Sequence, residues 1–492
     1  MMKKYILSVD QGTTSSRAIL FDHEGHVCSM AQREVECLFP KPGWVEADAL
    51  GIWISVIDVV NEVLVKANAT MDNVDSIGIT NQRETSIVWD KNTGMPVYHA
   101  VIWQSRQSAD ICDQFADKKE FIHQKTGLLI NPYFSASKIR FILDHIPDGQ
   151  KRAEAGELLF GTVDCWIIYK MTKGKVHATD ATNASRTMLF NISKMEWDDE
   201  LLKLFNIPRC MLPEVLPSSY HYGAASFFSE KVEICGVAGD QQAALFGQTC
   251  FDVGESKNTY GTGCFMLLNT GNKPVLSSSG LLTTVGWQIG DKVTYALEGS
   301  VFVGGAVVQW LRDQMRMIRD AAESERYALE VNDTNGMYFV PAFVGLGTPY
   351  WDDDARGSAF GMTRGTTKSH FIRACLEAIA YQCKDVFEIM KRETHGELKN
   401  LKVDGGATKN KFLMQFQSDI LNTQIMLPSC LETTALGAAY LAGLASGFYK
   451  DLEEIKSIHS YQAIFQPTMD KKVVEEKYNG WLKAIEATVV FK

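Results

Sequence analysis

Three short turns rich in glycine and threonine each follow a segment that is a candidate β-strand. They are Asp10–Arg17 (DQGTTSSR), Tyr260–Gly263 (YGTG) and Asp404–Thr408 (DGGAT). Glycine lets backbone amides approach an anion closely, and threonine and serine hydroxyls add short hydrogen-bond donors. An aspartate beside such a turn can order a hydrated Mg²⁺ next to phosphate groups. One such turn alone would be an ordinary hairpin or helix entry, but three together favour phosphate chemistry.

Two common nucleotide-binding motifs are absent from the sequence. The P-loop pattern G-x-x-x-x-G-K-[ST] does not occur, and no G-x-G-x-x-G follows a predicted strand. A Walker nucleotide site and a dinucleotide fold are therefore not supported. A nucleotide would have to be held by other turns.

The first turn lies in a predicted hairpin. Apolar runs at Tyr5–Val9 and Arg17–Phe21 predict two strands, and a third is expected near Val27. Helical spacing over Ala49–Lys66 places six apolar side chains on one face, namely Ile52, Val56, Val59, Val60, Val63 and Leu64. Strand hairpins followed by helices indicate an α/β fold.

The second half of the chain repeats this pattern. Lys257–Tyr260 and Cys264–Leu268 predict a hairpin around the second turn, and a later helix has Ile372, Cys375, Leu376, Ile379 and Cys383 inward. We therefore expect an internally duplicated protein with domains at 1–248 and 249–492. The boundary is placed near Gly247–Asp252 because the hairpin pattern restarts there.

Composition excludes several classes of protein. The 492 residues carry a formal net charge of −10, which disfavours a nucleic-acid partner. The 11 cysteines contain no C-x-x-C pair, so neither a disulfide framework nor a zinc ribbon is expected. The weakly polar stretch Ala435–Tyr449 is too short to cross a membrane and predicts a close-packed internal helix. The apolar run before Asp10 is too short for a signal-peptide core, and we expect a cytoplasmic protein without membrane insertion.

Four longer motifs make the sequence recognisable. They are Asn81–Thr85 (NQRET), Gly239–Gly247 (GDQQAALFG), Asn258–Phe265 (NTYGTGCF) and Met414–Asp419 (MQFQSD). With the three turns, they resemble the FGGY carbohydrate-kinase family of the actin, Hsp70 and sugar-kinase superfamily, over essentially the whole chain. The resemblance implies two actin-like (ribonuclease H-like) domains, with mixed sheets flanked by helices and a cleft between them.

The same resemblance implies ATP-dependent phosphorylation of glycerol to sn-glycerol 3-phosphate, with Asp240 as the general base. It assigns hydrogen bonds with the glycerol hydroxyls to Arg83, Glu84, Tyr133, Asp240 and Gln241, and the walls around its carbons to Trp103 and Phe265. This division of roles is physically reasonable, because a small triol must be recognised by several fixed polar partners inside a closed box.

ATP and Mg²⁺ are the cofactors that the resemblance implies. It assigns Asp10 to Mg²⁺ through water, and places Thr262 on the nucleotide phosphates from the facing half. It places Thr13, Thr14, Ser15 and Arg17 around the transferring phosphate, and Gly305, Gln309, Gly406 and Asn410 along the adenosine and the nearer phosphates. Most of the glycerol site thus falls in the first domain, and the second phosphate hairpin and the adenosine site fall in the second. The family further suggests a homodimer or homotetramer.

Two regulatory sites of the family are not expected. The stretch Gly223–Glu233 lacks the arginine and glycines of a fructose bisphosphate loop. It also lacks the histidine that a phosphocarrier protein modifies in some relatives, since His221 lies too far upstream.

Simpler interpretations remain open for individual residues. Arg83 and Glu84 would ordinarily be solvated surface charges, Trp103 and Tyr133 core aromatics, and Asp240 a helix N-cap. Rival functions are a kinase for a ketopentose or another polyol, an actin- or Hsp70-like ATPase, and a sugar-sensing module without catalysis.

Overall fold

A mixed β-sheet of 13 strands runs through both halves of the chain. The computed structural model describes residues 4–352, 354–396 and 398–491. The described strands, in chain order, are β1 (Tyr5–Gln11), β2 (Ser15–Phe21), β3 (Val27–Glu34), β4 (Cys37–Leu38), β5 (Glu46–Ala47), β6 (Val74–Asn81), β7 (Ile87–Asp90), β8 (Ala100–Val101), β9 (Leu158–Gly161), β10 (Ala178–Asp180), β11 (Phe190–Asn191), β12 (Glu196–Trp197), β13 (Glu214–Leu216), β14 (Ser219–Ala224), β15 (Glu233–Gly239), β16 (Glu255–Tyr260), β17 (Cys264–Gly271), β18 (Leu282–Ile289), β19 (Lys292–Val301), β20 (Tyr338–Val340), β21 (Ser358–Phe360), β22 (Asn400–Asp404), β23 (Ile425–Pro428) and β24 (Tyr461–Phe465).

Helices cover the sheet and fill the long connections. In chain order they are α1 (Ala49–Lys66), α2 (Ala109–Asp113), α3 (Lys119–Thr126), α4 (Ser135–His145), α5 (Gly149–Glu154), α6 (Val163–Met171), α7 (Ala181–Ala184), α8 (Asp199–Leu204), α9 (Asp240–Gly247), α10 (Ala306–Asp313), α11 (Ala322–Leu329), α12 (Lys368–Glu393), α13 (Lys411–Leu421), α14 (Thr433–Ser446), α15 (Leu452–Ile458) and α16 (Lys471–Val490). Short 3₁₀ turns occur at Met71–Asn73, Ala116–Lys118, Arg209–Met211 and Gly406–Lys409.

The two halves of the sheet have the same topology. In the first half the strand order is β3-β2-β1-β6-β15, with antiparallel β3-β2-β1 and parallel β1-β6-β15. In the second half β19-β17-β16-β22-β23 repeats this order and these directions. The halves of the sheet join where Ser219 of β14 lies opposite Ile289 of β18. This repetition confirms the duplicated α/β architecture, whereas the predicted domain limits stay a prediction.

The first half forms as its local sequence dictates. The strand β1 buries Ile6, Leu7 and Val9, because both faces of this central strand are covered. Helix α1 has the predicted bounds, and the side chain of Asp48 accepts a hydrogen bond from the amide of Leu50 at its start. The predicted apolar face of α1 is buried and packs against β2 and β3.

Helix α14 crosses from the second half to the first. It follows β23 in the chain but packs on α9, β6 and β15 of the first half. A Cβ atom added at Gly437 would lie 1.8 Å from the carbonyl oxygen of Ala243, so the two helices approach at a distance only glycine allows. The close-packed internal helix predicted from Ala435–Tyr449 is thereby confirmed. Among the described residues, every helix is too short or too polar to span a lipid bilayer.

Candidate active site

Three strand ends of the first half meet at one edge of the sheet. In the parallel ladder, Asp10 of β1 lies beside Thr80 of β6, and Gly239 at the end of β15 lies beside Asn81. Parallel strands end on the same side, so the residues that follow them converge in a crevice. Asp10, the segment from 82 to 85 and Asp240 therefore share this edge.

A cluster of buried charges follows β6. Arg83 Nε lies 3.1 Å from Asp240 Oδ1, and its Nη1 and Nη2 lie 2.5 and 3.1 Å from the two carboxylate oxygens of Glu298. Arg186 donates from Nε to Glu84 over 2.6 Å and from Nη2 to Glu298 over 3.0 Å. Side chains of Arg83, Glu84, Arg186 and Glu298 are at most 2% exposed, whereas that of Asp240 is 31% exposed. Asp240 is therefore the most exposed carboxylate of this cluster.

The charge state of the cluster follows from its pairing. Burial acts to raise the pKa of Glu298, but the guanidinium groups of Arg186 and Arg83 lower it to about 2. Burial raises the pKa of Glu84, because Arg186 and Arg83 offset the loss of solvent only in part. Glu84 also has a φ of +63°, an uncommon left-handed conformation for a residue with a side chain. The backbone is thus held in an unusual geometry where the side chains converge.

Aromatic side chains form a wall beside the charges. Trp103 donates its indole Nε1–H to Thr13 Oγ1 over 2.9 Å, which ties the wall to the first glycine turn. The rings of Trp103 and Tyr133 meet edge to face with centroids 5.5 Å apart. The ammonium group of the buried Lys138 donates to the backbone carbonyls of Tyr133 and Phe134. These contacts fix the position of Tyr133 before any ligand binds.

The first glycine turn carries a carboxyl group with a perturbed pKa. Burial raises the pKa of Asp10 from 3.8 to about 7; Arg17 opposes the rise, and Asp240 and Glu432 add to it. Arg17 is itself paired with Glu432, with 3.1 Å between Nη1 and Oε2. Carboxylates that repel one another at the edge of a crevice suit a hydrated divalent cation, because the cation offsets their charge. The residues present therefore fit Mg²⁺.

The turns of the second half lie against one another. The amide of Gly305 donates to Gly261 O over 2.9 Å, and that of Gly304 donates to Thr262 O over 2.8 Å. Gly405 has a φ of +92°, and a Cβ atom there would lie 2.5 Å from Tyr260 O. Position 405 must therefore be glycine for the third turn to pack against the second. Gln309 is exposed on α10 and Gly406 is exposed beside Gly405.

Two other predicted residues of the second half have structural roles of their own. Asn410 accepts a hydrogen bond from the amide of Leu413 and so caps α13, and its Nδ2 lies 3.3 Å from Ser324 Oγ. Phe265 of β17 is half-buried between Thr259 and Ser300 in the ladder.

Lys257 connects the two halves at the site. This buried lysine of β16 donates to Gln241 Oε1 of α9 over 2.5 Å and to Thr259 Oγ1 over 2.9 Å. Burial lowers its pKa from 10.5 to about 8, although Asp404 and Asp240 act in the opposite direction. An ammonium group can only donate, so it engages the oxygen of Gln241 and leaves the amide N–H groups for another acceptor.

Comparisons with known proteins agree with this geometry. Sequence models of the N-terminal and C-terminal domains of the FGGY family of carbohydrate kinases match residues 5–247 and 256–446. The chain belongs to the FGGY family of carbohydrate kinases. Curated proteins named glycerol kinase from Bacillus cereus (strain Q1) and Bacillus anthracis (strain A0248) are each 58% identical to this FGGY kinase over the full length of both chains.

Solved structures of other family members share its fold. A crystal structure of Plasmodium falciparum glycerol kinase with ADP superposes with a TM-score of 0.92 at 39% identity, covering 98% of each chain. A gluconate kinase from Lactobacillus acidophilus superposes with a TM-score of 0.88 at 21% identity, covering 99% of this chain and 98% of its own, and this likeness concerns the fold alone. The predicted pair of actin-like domains is confirmed by these superpositions.

The simpler structural interpretations of the predicted residues can be compared with their burial and contacts in this FGGY kinase. Arg83 and Glu84 are 3% and 1% exposed, so their interpretation as surface charges is wrong. Asp240 is the first residue of α9 and the N-cap is Gly239, although Asp240 Oδ1 does accept a hydrogen bond from the amide of Gln241. Trp103 and Tyr133 are half-buried rather than enclosed. The ligands assigned to these residues stay predictions.

Three residues of the site were missed in the sequence. Arg186, Glu298 and Lys257 are fully buried, and each forms a direct hydrogen bond with a predicted glycerol-site residue. A signal was available for Glu298, which follows Ala296 and Leu297 in a strand where an unpaired buried charge would be costly. Lys257 lies among polar residues in β16 (ESKNTY), where the sequence shows no such contrast. Arg186 lies in the polar segment after α7 and gave no such signal.

Proposed function

We propose that this FGGY kinase transfers the γ-phosphoryl group of ATP to a terminal hydroxyl of glycerol, giving sn-glycerol 3-phosphate and ADP. The observation that carries the proposal is the pairing of Arg83 with Asp240 over 3.1 Å, in a buried charge cluster whose most exposed member is Asp240. The 58% identity to curated proteins named glycerol kinase supports glycerol as the acceptor. The superposed relative that was crystallised with ADP supports an adenine nucleotide as the donor.

Asp240 is the general base in this proposal. A terminal hydroxyl oxygen attacks the γ-phosphorus, its O–H proton passes to the carboxylate of Asp240, and the bond between the γ-phosphorus and the β–γ bridging oxygen breaks. Proton acceptance of this kind typically contributes about 10²–10⁴ in rate. Arg83 holds the carboxylate of Asp240 in place through its Nε, while its other nitrogens are bound by Glu298.

The remaining polar partners orient the triol. Glu84 offers a carboxylate, Tyr133 a phenol and Gln241 its amide N–H groups, so acceptors and donors are both available to the hydroxyls. Trp103 and Phe265 would exclude a longer or bulkier polyol. A pocket built in this way rejects a molecule that lacks a hydroxyl, because buried polar groups would then be left unpaired.

The phosphate groups are assigned to the facing glycine turns. Thr13, Thr14, Ser15 and Arg17 would surround the transferred phosphoryl group and Thr262 the nucleotide phosphates, while Gly305, Gln309, Gly406 and Asn410 would line the adenosine. Asp10 would hold Mg²⁺ through water, and the ion would neutralise charge on the phosphates. Closure of the two halves would exclude water, which competes with the alcohol as acceptor. A cytoplasmic homodimer or homotetramer remains our prediction.

A coupled assay of ADP formation tests the proposal. The purified protein is supplied with Mg·ATP and, in separate reactions, with glycerol, xylulose, gluconate or no acceptor. We expect turnover that requires glycerol and is at least about 100-fold weaker in kcat/KM with the larger acceptors. Preferred turnover of xylulose would support a ketopentose kinase instead. ADP release that is equal with and without an acceptor would support an actin- or Hsp70-like ATPase.

A further inference from the structure

Four buried charges beneath the proposed glycerol site come from distant parts of the chain. Arg83 and Glu84 follow β6, Arg186 follows α7, and Glu298 lies within β19 of the second half. Two cations and two anions balance one another, and all four side chains are at most 2% exposed.

Glu298 is the shared partner in this group. Its Oε1 accepts from Nη2 of Arg83 and from Nη2 of Arg186, over 3.1 and 3.0 Å. Its Oε2 accepts from Nη1 of Arg83 over 2.5 Å, so the guanidinium plane of Arg83 is bound at two points. Arg186 in turn binds Glu84 over 2.6 Å. The carboxylate of Glu298 therefore orients Arg83 directly and Glu84 through Arg186, and both of these residues are assigned to the glycerol pocket.

The backbone that carries Glu298 is rigidly held. Glu298 pairs with Leu267 of β17 on one side and with Leu282 of β18 on the other. A residue in the middle of three hydrogen-bonded strands has little freedom to shift. Its carboxylate is thus a fixed point on the second half, against which the residues of the first half are aligned.

We propose that Glu298 is a positioning residue for the acceptor pocket, which holds Arg83 directly and Glu84 through Arg186 so that both present fixed groups to the polyol. This inference rests on the proposed function, since it concerns the same pocket. It also makes formation of the pocket dependent on contact between the halves, because the aligning carboxylate belongs to the second half and the aligned residues to the first. Nucleotide binding, by contrast, uses the glycine turns and does not require Glu298.

Stability alone does not account for this arrangement. Buried ion pairs contribute little net stability, because the loss of solvation offsets the attraction, and well-packed apolar side chains serve as well. Preorganised charges are instead typical of sites that must hold a polar ligand in one geometry.

Two variants separate positioning from charge balance. Glu298→Gln keeps the shape and removes the charge, whereas Glu298→Asp keeps the charge and shortens the reach by one methylene. The control is Glu377→Gln in α12, which removes a carboxylate that is also 2% exposed and lies 2.9 Å from Arg373 Nε, away from the pocket. For each folded variant, KM for glycerol, KM for ATP and kcat are measured, and thermal unfolding is recorded.

We expect both Glu298 variants to raise KM for glycerol by about tenfold or more, with KM for ATP within about twofold of wild type. Glu377→Gln should lower thermal stability and leave both KM values unchanged. If Glu298→Gln does not fold, Glu298→Asp decides the question. A wild-type KM for glycerol in Glu298→Asp would overturn the positioning role alone. Absence of glycerol-dependent turnover in the wild-type protein would overturn the proposed function and this inference with it.

Discussion

Replacement of Asp10 by asparagine should stabilise the protein without nucleotide while it impairs phosphoryl transfer. The pKa of Asp10 is raised from 3.8 to about 7, roughly three units, chiefly by burial. At about 1.36 kcal/mol per unit, this corresponds to about 4 kcal/mol, an upper figure because the residue is only partly buried. Asparagine is nearly isosteric and carries no charge, so it removes this penalty.

The sign of the effect depends on pH. A carboxyl whose pKa is raised on folding destabilises the folded state progressively as pH rises from about 4 to 7, and the penalty is complete above pH 7. An entropy of unfolding of about 2.1 cal/mol/K per residue gives about 1 kcal/mol/K for 492 residues. Asp10→Asn should therefore raise Tm by about 4 °C at pH 8 and by about 2 °C at pH 5.5.

Differential scanning calorimetry at the two pH values, without nucleotide or Mg²⁺, measures this difference. Asp58→Asn, at an exposed position of α1, is the matched control and should leave Tm unchanged. The same Asp10 variant should lose about 100-fold or more in Mg²⁺-dependent turnover, because the carboxylate proposed to order the ion is gone. A Tm equal to or below that of the wild type at pH 8 would refute the electrostatic reasoning, and undiminished turnover would refute the role in Mg²⁺ binding.

Three further variants test other parts of the structure. Asp240→Asn should lower kcat by about 10²–10⁴ with an unchanged circular dichroism spectrum, and wild-type turnover would rule out its role as base. Lys257 has a pKa lowered from 10.5 to about 8, so the wild type should gain about 2–3 kcal/mol of unfolding free energy as pH rises from 8 to 10.5. Lys257→Met should not show this pH-dependent gain in unfolding free energy when it is measured by urea titration. The variant should also raise KM for glycerol, since Gln241 loses its hydrogen-bond partner. If the gain in unfolding free energy persists in the variant, a group other than Lys257 causes it. Gly437→Ala would place a Cβ 1.8 Å from Ala243 O and should lower the unfolding free energy by about 1–3 kcal/mol or more, whereas a wild-type urea midpoint would contradict the close packing of α14 on α9.

Local patterns in the sequence were sufficient to predict the elements that carry the turns. The apolar periodicity of Ala49–Lys66 gave α1 with its observed bounds, and the hairpin around Gly12 is β1 and β2. These elements could be predicted because their burial pattern repeats within a few residues. The repeated hairpin around Thr262 likewise gave β16 and β17 of the second half.

Contacts between distant segments could not be predicted in this way. Arg83 and Glu298 are 215 positions apart, and Arg186 and Glu298 are 112 apart, so no spacing in the sequence pairs them. The composition of the segment around Leu436 indicated a close-packed helix, but not that its partner would be the sheet of the other half. Burial of Arg83 likewise depends on these long-range partners, which is why its interpretation as a surface charge failed.

The path of α14 has a consequence for how the protein is made on the ribosome. Helix α14, which covers β1, β6 and β15, is complete only when synthesis has passed residue 446, about 200 residues after the end of α9. At a translation rate of about 5–20 residues per second, the apolar face of the first half of the sheet is synthesised roughly 10–40 s before α14. The nascent first half is therefore a natural client for a chaperone, and a fragment that stops near residue 248 should aggregate unless the remainder is co-expressed.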